Sequence, residues 1–164
     1  MQALLSPTDG QVLFCRGILA QSRSFLIPFG DFFQNHPRLC HTVLRPDDLL
    51  LRAPVAGILL EVDPANTRFF IGGKQPVALW LHDREGRPLP TADIKFLPLA
   101  NAGAPLQAGQ LLGRQQSLPY GTFTPLLSLL TPVSEGFCAV CHTGRRRGGR
   151  SPLLTFERLS RRRF

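Results

Sequence analysis

A short phrase occurs twice in this chain and restricts it to a fold made of repeated sheet pieces. Ser6-Pro7-Thr8-Asp9-Gly10-Gln11-Val12-Leu13 is echoed by Ala53-Pro54-Val55-Ala56-Gly57-Ile58-Leu59-Leu60. Each copy is a small residue, a proline, a two-residue turn, a glycine and an apolar run. Proline presets φ for a tight turn, and glycine is expected to supply the backbone conformation from which the strand leaves it. A turn-and-strand unit used twice implies a sheet assembled from similar parts. Fifteen glycines and fifteen prolines, without helix-length apolar periodicity, extend this expectation of short strands and tight turns to the whole chain.

With 164 residues and 43% hydrophobic content, the chain is long enough for one domain with its own core. No run approaches the roughly 20 apolar residues of a membrane-spanning helix. Met1 to Leu5 lacks a basic n-region, so a signal peptide is not expected and a cytoplasmic location is. In that setting Cys15, Cys40, Cys138 and Cys141 read as thiols rather than as a disulfide framework, with Cys15 and Cys40 as small core residues. The net charge of +8 is uneven: Arg145, Arg146, Arg147, Arg150, Arg158, Arg161, Arg162 and Arg163 crowd the C-terminal end. Such an end reads first as a solvated tail and second as an electrostatic holder of an anionic partner. Without interleaved aromatics or a nucleic-acid module, nucleic acid is not the expected partner, although the basic end leaves it open.

Thr42 to Pro46, Ile58 to Val62, Arg68 to Ile71, Val77 to Leu81, Thr124 to Leu130 and Pro152 to Phe156 read as strands. Asp63-Pro64-Ala65-Asn66 is a turn between two of them, and Gly103 to Gly113 a further turn–strand unit. Phe25 to Phe33 is a dense apolar cluster broken by Pro28 and Gly30, either a loop folded over the core or an exposed docking patch. His82 stands where the apolar run Val77-Ala78-Leu79-Trp80-Leu81 meets the polar stretch Asp83 to Pro88. A strand end fixes a ring while the adjoining loop leaves it reachable, so His82 is the leading functional candidate. The expected fold is all-β, an antiparallel sandwich or barrel built from repeated turn–strand units.

Taken in order, these segments resemble the glucose-type enzyme IIA domain of the phosphoenolpyruvate–sugar phosphotransferase system, and the matches span nearly the whole chain. Ser6-Pro7-Thr8-Asp9-Gly10 is similar to that family's opening turn, and Leu44-Arg45-Pro46 through Ala53-Pro54-Val55-Ala56-Gly57 to its central "APVDG" phrase with the preceding strand. Val77-Ala78-Leu79-Trp80-Leu81-His82 resembles "VELFVH", Gly103 to Leu112 the "V..GQ.L" hairpin, Thr122 to Leu127 "TITPVIV", and Arg150 to Leu154 "G.PVI". The resemblance implies a six-stranded sandwich with an apolar depression around a phosphoryl-accepting histidine, here His82. It implies an HPr-like phosphocarrier protein as donor, a IIB-type sugar-transporter subunit as acceptor, a transferase-class phosphoryl-transfer role and no cofactor. An imidazole nitrogen is a competent nucleophile near neutral pH, and the phosphoramidate it forms can hand the group on.

Thr67 falls where the family's second histidine, a hydrogen-bond donor to the phosphoryl group, would stand; its hydroxyl can still donate one bond. Arg68 could add charge, although alternation along a strand can turn it to the opposite face. Phe29, Phe32 and Phe33 are candidates for docking partners. The domain is expected to occupy residues 1–158, with 159–164 as a basic end. The alternative function is a catalytically decayed IIA-like binding or regulatory module that recruits an anionic partner through its basic surface.

Cys138-Ala139-Val140-Cys141-His142 spells the C-x-x-C-H haem-attachment pattern, but the only methionine is Met1 and no export signal is read, so haem is not expected. A zinc site from Cys138, Cys141 and His142 with Cys40 or His41 would need a tetrahedral set with no second closely spaced pair, and no metal is expected. The resemblance puts this run in the connection before the last strand.

Overall fold

The computed structural model describes residues 3–19, 32–33, 35–47, 50–63, 68–87, 96–115 and 125–160. Among them there is no helix. Fourteen strands follow in chain order: β1 (Leu4–Leu5), β2 (Gly10–Leu19), β3 (Arg38–Pro46), β4 (Leu50–Arg52), β5 (Gly57–Asp63), β6 (Arg68–Gly72) and β7 (Val77–His82), then β8 (Phe96–Pro98), β9 (Pro105–Leu106), β10 (Leu111–Gln115), β11 (Leu126–Pro132), β12 (Phe137–Cys141), β13 (Arg145–Arg146) and β14 (Pro152–Arg158). All pairings are antiparallel. Eight strands form the main sheet in the order β13-β2-β3-β11-β7-β6-β5-β9, and two three-stranded sheets have the orders β1-β14-β12 and β4-β10-β8. The all-β antiparallel expectation is met, with eight strands in the large sheet rather than a total of six.

One face of the main sheet carries the principal core. Leu44, Leu59, Phe69, Ile71, Leu79, Leu81, Leu127 and Leu129 pack there against Leu4, Leu153 and Leu154 of one small sheet and Leu51 and Leu112 of the other. The central strands β3, β7 and β11 are buried on both faces, as nearly continuous apolar runs require. The opposite face holds a second cluster, Phe33, Leu39, Phe70, Ala78, Trp80 and Leu130, with Phe32 packed against it. Alternation along each strand thus divides the odd and even positions of β3, β7 and β11 between two cores.

The repeated phrase has a different physical cause from the one its turn chemistry suggests. Gly10 and Gly57 do not occupy the left-handed region; a Cβ on Gly10 would drive into the Arg45 carbonyl, and one on Gly57 into the Gly72 carbonyl, both inside 3.0 Å. Each glycine opens a strand that runs tightly against a partner backbone: Gly10 pairs Pro46, and Gly57 lies beside Gly72. The close approach, not the turn, excludes a side chain. Two further segments differ from expectation. β2 continues past Leu13 to Leu19 after a register shift between Val12 and Phe14. Residues Phe137–Cys141 form a strand rather than a connection, because each is paired with β14.

Candidate functional site

His82 ends β7, and its ring sits on the face of the main sheet that carries the second cluster. Two residues earlier on the same face, the Trp80 ring lies 4.6 Å from the His82 ring at a 36° tilt. The pairing Leu126↔His82 and Ser128↔Trp80 sets Ser128 of β11 beside both. On the far side of β11, Leu130 pairs His41 of β3, which brings a second imidazole onto this face. The Ser128 hydroxyl lies 2.7 Å from His82 Nε2 and 2.9 Å from His41 Nε2. Three adjacent strands therefore build a His82–Ser128–His41 row in which all three side chains are buried, at 6%, 2% and 2% exposure.

The tautomers follow from the partners. His82 Nδ1 is 2.7 Å from the Asp83 carbonyl, which can only accept, so Nδ1 carries the proton. In the neutral ring Nε2 then bears the lone pair, the Ser128 hydroxyl donates to it, and Ser128 Oγ accepts from His41 Nε2–H. The Asp83 carbonyl is held in place by its own turn: the Asp83 carboxylate accepts from the backbone N–H of Glu85 and Arg87 at 2.9 and 2.8 Å. Asp83 N–H donates to the Arg87 carbonyl at 2.9 Å. The polar loop after β7 thus orients the ring, which is buried rather than left reachable as its strand-end position suggested.

Burial keeps both rings uncharged. It pushes His41 down to about 3, reinforced by the positive charge of Arg16 and by His82, and opposed by Cys15. Burial also lowers His82, against the Asp83 carbonyl and carboxylate, which favour the protonated ring. Two guanidinium groups flank the row. Arg16 pairs His41 across β2 and β3, and Arg68 pairs Trp80 across β6 and β7, so each stands on the histidine face. Arg68 therefore shares the face of His82 rather than the opposite one, held by Asp63 at 2.8 Å. The Phe14 ring meets His41 edge-on at 5.5 Å, with Arg16 over Phe14.

Thr67 and Phe29 lie outside the described residues. Phe33 is buried at 3% exposure, and Phe32 stacks on Phe33 and Phe70 with ring centroids 4.7 and 4.8 Å away. Both rings pack in the second cluster, on the sheet face that also bears the histidines. Sequence reasoning weighed His41 only as a distant zinc ligand and did not single out Ser128: both lie inside apolar strand runs, and only strand order makes them neighbours. Cys138 and Cys141 are three apart on β12, which turns their thiols to opposite faces and prevents the pair from acting as one chelate. His142 Nε2 instead lies 3.3 Å from the Thr155 hydroxyl.

An acyl-transfer reading of the Ser128–His82 pair has no support in the backbone. Ser128 is in the middle of a strand paired on both sides, so the N–H groups of its own strand are committed to the sheet and, among the described residues, supply no oxyanion hole.

No protein-family model and no curated protein sequence matches the chain. Among solved structures, the chain is similar to the glucose permease IIA from Mycoplasma capricolum, with a TM-score of 0.61 at 14% identity over 93% of this chain and 94% of that one. The likeness shows an enzyme IIA-type β-sandwich fold. At this identity it is a statement about architecture, and the chemistry must come from the residues themselves.

Proposed function

We propose that this protein is a phosphohistidine carrier of the sugar-phosphotransferase type, with His82 Nε2 as the phosphoryl acceptor. The observation that carries the reading is the His82 ring itself: Nδ1–H is tied to the Asp83 carbonyl at 2.7 Å, and the lone pair of Nε2 faces a hydroxyl and a second imidazole. In the transfer, Nε2 attacks phosphorus, the bond from phosphorus to the donor nitrogen breaks, and the donor ring keeps that electron pair. His82 then holds the phosphoryl group on Nε2 while Nδ1 keeps its proton, a cationic ring that the Asp83 carbonyl and carboxylate stabilise. That cation is also the better leaving group for onward transfer. Rotation of the Ser128 hydroxyl away from Nε2 frees the nucleophile and turns its O–H toward a phosphoryl oxygen. His41 Nε2–H takes the role expected of a second histidine, and Arg16 and Arg68 supply positive charge to the oxygens. Catalysis here is positioning and charge neutralisation. The donor expected is an HPr-like phosphocarrier and the acceptor a IIB-type transporter subunit.

The test is incubation with phosphoenolpyruvate, the two general phosphotransferase proteins and radiolabel, with a known IIA protein in parallel. Acid-labile label on the wild type that is absent in His82→Ala is the expected result. An unlabelled wild type beside a labelled control sinks the carrier reading.

A second reading, a binding module for an anionic partner, is favoured by one cleft. Arg52, Arg147 and Arg150 line a polar cavity of about 440 Å³ with Asp9 and Leu50. It requires polyanion binding that weakens steeply with salt and in Arg147→Ala with Arg150→Ala, and that His82→Ala leaves intact. Salt-independent binding counts against it.

A further inference from the structure

The fold gathers three thiols that are far apart in the sequence. Cys15 of β2 and Cys40 of β3 are diagonal neighbours, since Cys15 pairs Thr42 and Cys40 pairs Gly17. Their sulfurs are 3.3 Å apart. The Thr42 hydroxyl donates to Cys15 Sγ at 3.4 Å, and Cys141 of β12 lines the same cavity as Cys15 and Cys40, its thiol directed to the His142 carbonyl at 4.0 Å. Cys40 is buried, whereas Cys15 and Cys141 are half-buried. This cavity, of about 420 Å³, opens over the group, and Arg38 lines it. Opposite Cys40, Gly17 leaves open space where a side chain would stand: a Cβ there would meet no atom within 4 Å. A reagent can thus reach the sulfurs, and the Arg38 guanidinium favours a negatively charged one.

The neighbouring Cys141, Cys40 and Thr42 hold the Cys15 thiol well below the usual range, outweighing burial, whereas Cys15 and burial together push Cys40 and Cys141 up. This division separates an attacking sulfur from a resolving one.

We propose that Cys15 is the nucleophile of a thiol–disulfide exchange site for anionic low-molecular-weight disulfides, and that Cys40 resolves the adduct to a Cys15–Cys40 disulfide. In the first step Cys15 Sγ attacks one sulfur of the disulfide RSSR, forming a Cys15–SR bond and expelling RS⁻. In the second, Cys40 gives its proton to the departing thiolate or to solvent and attacks Cys15 Sγ, expelling the second RS⁻. Two protein thiols are oxidised by two electrons, and one RSSR is reduced to two thiol equivalents. The sulfurs have to close from 3.3 Å to a bonded separation of about 2.05 Å. The site lies on the opposite face of β3 from His41 and does not depend on phosphoryl transfer.

The experiment treats the full-length native protein with oxidised glutathione, quenches samples over time with acid and alkylating agent, and maps the peptides by mass spectrometry. Early samples should carry glutathione on Cys15, late samples a Cys15–Cys40 cross-link two hydrogens lighter than the reduced pair, and Cys138 should stay free. Cys40→Ser should stop at the Cys15 adduct. The wild-type time course stands without that variant. First modification at Cys138, equal reaction of all four thiols, or a Cys15 adduct in wild type that never resolves onto Cys40 overturns the proposal; resolution onto Cys141 overturns the assignment of Cys40.

Discussion

Acid should weaken this fold through His41, and the size of the effect follows from its burial. In the unfolded chain His41 titrates near its ordinary 6.5; in the folded protein it is held down to about 3. Below 6.5 the unfolded state therefore binds a proton that the folded state refuses, and the stability present above that pH is lost as the pH falls toward 3. At pH 5.0 the unfolded chain has gained about 1.5 pH units of proton affinity over the fold, which at ~1.36 kcal/mol per unit is about 2 kcal/mol. For a domain of this size that corresponds to roughly 4–8 °C in Tm. His41→Gln removes the titration while keeping an amide donor within reach of Ser128. Urea unfolding followed by the fluorescence of Trp80, the single tryptophan, would compare both proteins at pH 7.5 and 5.0. The wild type should lose about 2 kcal/mol more than the variant across this interval, with His82 common to both. Equal losses would show that His41 titrates as a solvated imidazole and would refute the buried row.

The close-approach glycines make a sharper structural prediction: Gly10→Ala and Gly57→Ala should each destabilise by about 1–3 kcal/mol in urea unfolding, because the partner backbone must move. No loss at either position would contradict the packing of the repeated phrase. Leu79→Ala, at a fully buried position between the sheets, should cost about 2–5 kcal/mol by the same assay. Ser128→Ala should cost about 1–3 kcal/mol, because it leaves imidazole nitrogens buried without their hydroxyl bridge. If His82 carries phosphate, the same variant should also slow its labelling without abolishing it; unchanged rate would remove Ser128 from the reaction.

The strands were legible where the chemistry is local. Val77–His82 is an apolar run closed by a polar turn, and the strands Gly57–Asp63 and Arg68–Gly72 are short apolar runs on either side of a Pro-Asn sequence that lies outside the described residues, so short-range pattern sufficed for their existence. Cys138-Ala139-Val140-Cys141-His142 misleads for the complementary reason: read as a string it is a ligand motif, but strand pairing with β14 turns its two thiols apart.

By itself the sequence determined the class of fold, because repeated proline–glycine turn phrases and alternating short apolar runs permit sheets and do not support long helices. It also singled out His82, since an imidazole at the junction of strand and loop is a local feature. Tertiary structure alone decided what stands next to that ring. Ser128 is 46 positions away and His41 is 87 from Ser128. They meet because antiparallel registry sets β3, β11 and β7 side by side, and registry is a property of the whole sheet. The same registry, with the β12 sheet packed across it, brings Cys15, Cys40 and Cys141 together. Side-chain chemistry is written residue by residue, whereas adjacency between strands is fixed by the collective burial of two cores.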